Sequence, residues 1–357
     1  MKKKFRFSEK IRLYNKTVGK NSSIYFIAEI GVNHCNNTKL AKKMIVSAKK
    51  AGADAVKFQT FSATKLVTPK TAKVKYQLHN TSKTESHFEM IKSLELSKEK
   101  HIELFKFCKK QNIDFISTPY DVESAKFLNS LGCKVFKTAS ADIVDLQLHE
   151  YLASTKKVVL ISTGMSNSKE ITECINIYKK KNSKKVILLH CVSNYPCSIE
   201  SLNMSVIPKM VLGFKTIIGF SDHSIGNLAS VIGVSLGARL IEKHFTTDKK
   251  LPGPDQKTSI LPSELSKLIV DLKNTKTILG KDLKICQKEE LQMKNVSRKS
   301  LTIKKTLLKG QKISSKNLIL KRPGTGIYYR DLKKIIGKKV KKNLYTNHQV
   351  SLIDLTK

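Results

Sequence analysis

The chain has 357 residues, 40% of them hydrophobic and 27% charged, with a formal net charge of +39. This length suits one large domain and one small domain. It contains no apolar run near the roughly 18 residues of a membrane span and no apolar stretch after its basic start that would make a secretory signal. Lysine carries nearly all of the charge along the whole chain, whereas nucleic-acid surfaces favour arginine. We therefore expect a cytoplasmic protein that binds neither nucleic acid nor membrane.

Short β-branched or aromatic runs alternate with helical patterns between residues 24 and 246. The predicted strands are 24–30, 55–60, 114–118, 135–140, 158–163, 185–191, 216–221 and 239–245. Residues 40–52 space their apolar side chains three and four apart, and residues 97–112 begin at Ser97, a typical helix N-cap. Eight repeated strand–helix units predict an α/β fold, a (β/α)8 TIM barrel.

Two segments depart from this alternation. Residues 61–96 are polar overall and are predicted to form a loop extension over the mouth of the barrel. After residue 284 the chain has short extended runs at 300–303, 318–321 and 339–344, separated by turn signals. We predict a barrel at 1–284, a linker at 285–294 and a small mostly-β domain at 295–357, which is too small to be very stable alone.

The seven cysteines are scattered, and the closest pair, Cys191 and Cys197, lacks the spacing of a zinc knuckle. An odd number without regular spacing indicates reduced thiols in a reducing compartment. We interpret most of them as structural.

Polar or ionisable residues stand at the end of nearly every predicted strand, where a TIM barrel builds its active site. They are Glu29, Lys57, Gln59, Ser117, Thr118, Lys137, Ser140, Ser162, Thr163, His190, Ser193, Ser221, His223, Glu242 and His244. Two lysines among hydroxyl groups suit an oxyanion such as a phosphate with a carboxylate. A lysine can alternatively form a Schiff base, which would make the protein an aldolase. Residue types alone leave both hypotheses open.

His223 and His244 end the last two strands, so they are expected to reach one metal ion. Two imidazoles with open positions for water and substrate fit an octahedral ion such as Mn²⁺, with Mg²⁺ and Co²⁺ as alternatives, better than structural zinc. Two histidines that serve only as hydrogen-bonding groups are the simpler interpretation.

At these same positions the sequence resembles the sialic acid synthase family, enzymes that condense phosphoenolpyruvate to make N-acetylneuraminate, legionaminate and pseudaminate. The matching segments are 27–34 (IAEIGVNH), 51–60 (AGADAVKFQT), 117–121 (STPYD), 137–140 (KTAS), 162–165 (STGM), 195–196 (YP), 219–223 (GFSDH), 242–246 (EKHFT) and 253–255 (GPD). Residues 321–326 (KRPGTG) are similar to the small antifreeze-like, or SAF, domain of that family. The ordered matches extend from residue 24 to about 345.

The resemblance implies a role for each group. Phosphoenolpyruvate would be bound by Lys57, Thr118, Lys137, Ser140, Ser162 and Ser221. The metal would be held by His223 and His244, and the sugar would be contacted by Gln59, Tyr195 and Asp255. Arg322 would reach the acylamino group of the sugar from the partner subunit of a domain-swapped homodimer.

The reaction implied is attack of the phosphoenolpyruvate methylene on a sugar aldehyde, addition of water at C2, and loss of phosphate by C–O cleavage. Glu29 is the residue we expect to handle the proton transfers, although a salt bridge to a barrel lysine is its structural alternative. We predict N-acetylneuraminate synthase, using N-acetylmannosamine. The first alternative is legionaminic acid synthase, using 2,4-diacetamido-2,4,6-trideoxymannose. A protein of another class, an inert barrel that binds RNA, would show steeply salt-dependent RNA affinity.

Overall fold

The computed structural model describes residues 5–82 and 84–356. The chain forms two compact units, Met1–Gly280 and Lys281–Lys357. Each unit has its own apolar core.

The first unit contains a closed barrel of eight parallel strands, preceded by a two-stranded hairpin. The hairpin strands are β1 (Lys10–Leu13) and β2 (Lys16–Gly19). The barrel strands are β3 (Tyr25–Gly31), β4 (Ala55–Thr60), β5 (Asp114–Pro119), β6 (Val135–Thr138), β7 (Val158–Ser162), β8 (Val186–Cys191), β9 (Ile217–Asp222) and β10 (Leu240–His244). Strand β10 pairs with β3 and closes the barrel, which confirms the predicted fold.

Helices follow the barrel strands, and most of them cover the outer faces of the strands. They are α1 (Thr38–Lys50), α2 (Ala63–Leu66), α3 (Lys75–Asn80), α4 (His87–Leu94), α5 (Lys98–Lys110), α6 (Val122–Ser130), α7 (Leu146–Ser154), α8 (Ser168–Lys180), α9 (Val206–Phe214), α10 (Leu228–Ser235) and α11 (Pro262–Leu279). The Ser97 hydroxyl accepts from the Lys100 amide at the start of α5, which confirms the predicted N-cap.

The hairpin β1–β2 was not predicted from the sequence. Its Ile11, Leu13 and Val18 pack against the first residues of the barrel strands, such as Tyr25 and Val158. It therefore fills the end of the barrel opposite the carboxyl ends of the strands, and the open mouth lies at those ends.

The segment 61–96 is not the polar loop that we predicted. It forms the short helices α2, α3 and α4, and its Phe61, Met90 and Leu94 are buried together with Val32. The polar composition of the segment misled the prediction, because its few apolar residues face one another and the mouth while its many polar residues face solvent.

The second unit contains helix α12 (Leu291–Ser297) and the antiparallel strands β11 (Ser300–Ile303) and β12 (Leu318–Lys321). The third predicted run, 339–344, is not a strand, but isolated bridges join Val340 to Leu355 and Leu344 to Leu307. Its core includes Leu301, Ile303, Val340 and Leu344.

None of the helices in the described ranges combines the length and the apolar character needed to cross a membrane.

Candidate active site

The carboxyl ends of the barrel strands surround a cleft of about 430 Å³. All but Arg322 of the residues that were given a catalytic, substrate-binding or metal role line this cleft: Glu29, Lys57, Gln59, Thr118, Lys137, Ser140, Ser162, Tyr195, Ser221, His223, His244 and Asp255. Of the other strand-end residues, Ser193 and Glu242 line it as well, whereas Ser117, Thr163 and His190 do not. They come from separate strands and loops and converge because parallel strands end at the same face of the barrel.

A buried ion pair joins the ends of β3 and β4. Lys57 Nζ lies 2.8 Å from Glu29 Oε1, and both side chains are almost fully buried. Lys57 also donates to Thr118 Oγ1 at 3.1 Å, and Gln59 Nε2 donates to Glu29 Oε1 at 3.2 Å. The second carboxylate oxygen, Glu29 Oε2, is buried without a hydrogen-bond partner in the described chain, so it can serve a bound water or substrate.

A second buried group of charges lies around Glu242 on β10. Its Oε1 is 3.8 Å from both Lys57 Nζ and Lys137 Nζ, and it accepts a hydrogen bond from Ser221 Oγ at 3.1 Å. Lys137 Nζ donates to Ser162 Oγ at 2.5 Å and to the Thr138 carbonyl at 2.8 Å. These long contacts to Glu242 leave both ammonium groups able to approach an incoming anion.

The two carboxyl groups differ in acidity. Burial raises the pKa of Glu29 to about 7, even though the adjacent Lys57 ammonium favours ionisation. Burial acts on Glu242 in the same direction, but Lys137 and Lys57 outweigh it and hold the pKa of Glu242 below its ordinary value. One carboxyl group that exchanges a proton near neutrality beside one that stays ionised is an arrangement suited to acid–base chemistry.

The lysines also differ. The two carboxylates outweigh burial and raise the pKa of Lys57, whereas burial dominates for Lys137 and lowers its pKa. Without a ligand, two buried cations face two carboxyl groups. A polyanionic substrate would take the place of the carboxyl groups as the partner of the two ammonium groups. Because these ammonium groups are buried away from bulk water, their attraction to the anion would be strong.

His223 and His244 lie side by side at the bottom of the cleft, with ring centroids 5.6 Å apart. We call this charged bottom, with Glu29, Lys57, Lys137 and Glu242, the floor of the cleft.

The Val192 carbonyl lies 2.8 Å from His223 Nδ1 and can accept a hydrogen bond from its N–H group. In that tautomer Nε2 is available as a metal ligand. His244 Nδ1 is buried without a hydrogen-bond partner in the described ranges, and burial lowers the pKa of this imidazole far enough to keep it neutral. A neutral imidazole of this kind fits a divalent metal. His223 differs, because Cys191, whose Sγ lies 3.7 Å from His223 Nδ1, and the Val192 carbonyl outweigh burial and raise the pKa of His223. A bound cation would have to displace the proton of His223.

No group of three or more His, Cys, Asp or Glu side chains arranged to hold a metal occurs within 5–82 and 84–356. The protein would therefore supply the two imidazoles, and water and substrate would complete the coordination. This donor set fits an exchangeable catalytic ion better than a closed structural site.

A buried ion pair supports the loop that carries His223. Asp222 accepts from Lys243 Nζ at 2.8 Å, from Ser230 Oγ at 2.6 Å and from the Ser224 amide at 2.8 Å. Lys243 also donates to the Ser224 carbonyl at 2.6 Å. Since Asp222 precedes His223 and Lys243 precedes His244, this network holds both imidazoles in position.

Two of the residues predicted to face the sugar, Tyr195 and Asp255, lie beside the imidazoles. The Tyr195 ring lies 4.1 Å from the His223 ring and 5.4 Å from the His244 ring. Asp255 Oδ2 is 3.8 Å from His244 Nδ1, and burial raises the pKa of Asp255 to about 6. Arg322 lies in the second unit, exposed directly after β12, so its contact with a sugar stays a prediction.

Several residues that line the cleft had no role in the prediction, among them Glu242, Cys191 and Tyr76. Glu242 could have been assigned one, since it precedes His244 by two residues and therefore faces the barrel interior with it. Cys191 is the last residue of β8, and its Sγ lies 3.5 Å from Ser140 Oγ, but a single cysteine gave no signal. Tyr76 reaches the cleft from helix α3, which the sequence did not reveal.

Comparisons with known proteins identify the family of this chain. The NeuB family matches residues 44–284, and the SAF domain matches residues 298–355. N,N'-diacetyllegionaminic acid synthase of Legionella pneumophila is 40% identical over 92% of this chain and 94% of its own length. The enzyme of that name from Campylobacter jejuni is 41% identical over 89% of this chain and 96% of its own length.

A solved structure is also similar. The N-acetylneuraminic acid (sialic acid) synthetase of Leptospira borgpetersenii, in complex with citrate, has a TM-score of 0.72 and 34% identity. The alignment covers 81% of this chain and 96% of that one. The chain belongs to the NeuB family of nonulosonate synthases, enzymes that condense phosphoenolpyruvate with a sugar.

Proposed function

We propose that this enzyme condenses phosphoenolpyruvate with 2,4-diacetamido-2,4,6-trideoxymannose and water to give diacetyllegionaminate and phosphate. The observation that carries the reaction class is the pair of buried lysines facing two buried carboxyl groups and two adjacent imidazoles in one cleft. The two relatives at 40% and 41% identity, both named N,N'-diacetyllegionaminic acid synthase, support the choice of sugar.

N-acetylmannosamine is the second candidate, and it was our first prediction from the sequence. The similar solved structure with 34% identity bears the name of an N-acetylneuraminic acid synthetase. The higher identity of the legionaminic acid synthases leads us to place the trideoxy sugar first.

Phosphoenolpyruvate would lie between Lys57 and Lys137. Their ammonium groups would bind its phosphate and carboxylate, and the hydroxyls of Thr118, Ser140, Ser162 and Ser221 would complete the hydrogen bonds. Ser140 Oγ already accepts from the Gly164 amide at 3.1 Å, so its position is fixed before the substrate arrives. A Cβ on Gly164 would lie 2.8 Å from that oxygen, which explains the need for glycine beside it.

His223 and His244 would hold a divalent cation, for which we propose Mn²⁺, with Mg²⁺ and Co²⁺ as alternatives. The cation would supply Lewis acidity at the aldehyde oxygen of the open-chain sugar. Tyr195 and Asp255 stand beside these imidazoles and would orient the sugar there.

Glu29 would handle the proton of the water that adds at C2. The methylene carbon of phosphoenolpyruvate forms a bond to the aldehyde carbon, and positive charge develops at C2. Water attacks C2 and loses a proton to Glu29, whose pKa near 7 suits transfer in both directions. The proton that Glu29 takes from water ends on the alkoxide that forms from the aldehyde oxygen. The tetrahedral intermediate then breaks the C2–O bond to its phosphate group, the proton of the C2 hydroxyl leaves with the phosphate, and the 2-keto acid remains.

A domain-swapped homodimer would bring Arg322 of the second unit to the acylamino group of the sugar on a partner subunit. Three apolar side chains in or near helix α12, those of Leu283, Met293 and Val296, are exposed. Their burial against a partner subunit would favour such a dimer. We place the enzyme in the cytoplasm, where its seven unpaired cysteines would stay reduced.

The Schiff-base alternative places the nucleophile at Lys137, whose pKa is lowered, or at Lys57. The carboxylates favour the protonated, anion-binding form of Lys57. Lys137 is the better candidate for a nucleophile, but its Nζ donates to Ser162 Oγ and to the Thr138 carbonyl, as an ammonium group that binds anions would. Borohydride reduction in the presence of substrate should trap no adduct on either lysine, as seen by peptide mass spectrometry. A trapped adduct would replace the synthase mechanism with an aldolase one.

Phosphate release from phosphoenolpyruvate tests the proposal. The purified enzyme with Mn²⁺ is given 2,4-diacetamido-2,4,6-trideoxymannose or N-acetylmannosamine, with and without EDTA. We expect release with the trideoxy sugar, much slower release with N-acetylmannosamine, and none with EDTA. Faster release with N-acetylmannosamine would establish the second candidate. Activity in the presence of EDTA would show that the reaction needs no divalent metal.

A further inference from the structure

The cleft has two sides of opposite chemical character. Its floor carries the charged and imidazole groups, whereas the segment 61–94 contributes a side that we call the apolar wall. The apolar wall consists of Phe61, Leu66, Val67, Met90, Ile91 and Leu94. Phosphoenolpyruvate is a small anion whose phosphate and carboxylate match the charged groups of the floor and not this apolar surface.

The apolar wall is built into the barrel by its own core. Phe61, Met90 and Leu94 are buried with Val32, and the Phe61 ring meets the Tyr120 ring edge-on at 5.9 Å. Asn80 Nδ2 donates to the Pro254 carbonyl at 2.7 Å and ties helix α3 to the loop that carries Asp255. The wall is therefore a preformed surface of the site.

The wall joins the catalytic floor through two aromatic rings. The Tyr76 ring of α3 lies 5.2 Å from the Tyr195 ring, which in turn lies 4.1 Å from the His223 ring. An aldose with its aldehyde beside His223 and His244 would extend past these rings, and its distal carbons would lie against the wall. One polar atom on that side, His87 Nδ1, is buried without a hydrogen-bond partner among the described residues and can accept from an amide N–H.

We infer that the apolar wall selects the sugar by receiving the C6 methyl group and the C4 acetamido group of a deoxy, doubly N-acylated aldose. This inference rests on the proposed function. The wall side chains offer no partner for the C4 and C6 hydroxyls of N-acetylmannosamine, which would lose their hydrogen bonds to water there. The methyl groups of the deoxy sugar gain burial at the same place.

The test uses two changes that add hydroxyls to the wall, Val67→Thr and Ile91→Thr, combined in the full-length protein; the first keeps the side-chain shape and the second removes one methyl group. Both side chains are only half-buried, so the fold should tolerate them. Val270→Thr on the outer face of α11, which is 53% exposed, is the matched control. The rise in melting temperature on adding phosphoenolpyruvate should be the same in all three proteins, which verifies that the floor is intact.

The first readout is the ratio of kcat/KM for the trideoxy sugar to that for N-acetylmannosamine. We expect the double variant to lower this ratio by ~10-fold or more, the range that single groups contribute in apolar pockets. The control should leave it unchanged. An unchanged ratio in an active double variant with an intact phosphoenolpyruvate response would overturn the inference.

The second readout separates this inference from the proposed function. The alditols made by reducing each sugar lack the aldehyde and cannot react, so their affinities in the presence of phosphoenolpyruvate report the wall alone. Tighter binding of the diacetamido alditol, lost in the double variant, supports the wall even if neither sugar releases phosphate. Equal binding of both alditols by the unaltered protein contradicts it even if turnover is observed.

Discussion

Glu29→Gln should separate catalytic function from stability at one position. The glutamine Oε1 can still accept from Lys57 and Gln59, as Glu29 Oε1 does at 2.8 and 3.2 Å. It cannot take a proton from water, so we expect kcat to fall by ~10²–10⁴-fold. The glutamine side chain is uncharged, so the variant lacks the unfavourable free energy of burying an ionised carboxylate.

The size of that cost follows from the pKa. Burial raises the pKa of Glu29 from 4.5 to about 7, so the folded protein holds this proton more tightly than the unfolded chain. At 1.36 kcal/mol for each pH unit, ionised Glu29 destabilises the fold by about 3 kcal/mol above pH 7. The penalty is absent below the unfolded pKa and grows as pH rises from about 4.5 to 7. Glu29→Gln should therefore stabilise the barrel by about 3 kcal/mol at pH 8 and by under ~1 kcal/mol at pH 5.

Urea denaturation followed by circular dichroism, at pH 5 and pH 8 with EDTA present, measures this difference. Glu103→Gln on the exposed face of α5 is the matched control, and its free energy of unfolding should change by no more than about 0.5 kcal/mol. Equal destabilisation by Glu29→Gln at both pH values would show that Glu29 is a structural partner of Lys57. Full activity in the variant would exclude it from the proton transfers.

Three further changes test other parts of the site. Lys137→Met removes one of the two cations beside Glu242. We expect kcat/KM for phosphoenolpyruvate, measured by steady-state phosphate release, to fall by ~10–100-fold. An unchanged kcat/KM would show that the anion binds elsewhere. His244→Ala should weaken Mn²⁺ binding by at least ~10-fold in an electron paramagnetic resonance titration, while unaltered binding would leave this imidazole outside the metal site. Asp222→Asn leaves the buried Lys243 ammonium without the carboxylate that lies 2.8 Å from it. The free energy of unfolding, measured by urea denaturation, should fall by about 3–5 kcal/mol. A decrease below about 1 kcal/mol would contradict this role of the ion pair.

The barrel and the floor of its cleft could be predicted from the sequence because both depend on local patterns. Each strand is a short β-branched run, and parallel strands bring their last residues to one face, so Lys57, Lys137 and His223 could be grouped before any contact was known. The family resemblance added roles to these residues. Their convergence in one cleft follows from the geometry alone.

The features that escaped prediction depend on contacts between distant segments. Met90 and Leu94 stand in a polar stretch and form a wall only because Val32 and Phe61 pack against them. Glu242 was visible at a strand end, but its position between two lysines from other strands was not. The hairpin β1–β2 has only eight residues in its strands, too few for a periodic signal.

The central claim is that this cleft joins phosphoenolpyruvate to an acylamino aldose with cleavage of the C–O bond. Phosphoenolpyruvate labelled with ¹⁸O at the bridging oxygen tests it most directly, with the phosphate observed by ³¹P NMR and the sugar product by mass spectrometry. The account predicts that the released phosphate carries the label and that a nine-carbon keto acid forms in equal amount. Unlabelled phosphate, or release without a nine-carbon product, would contradict it.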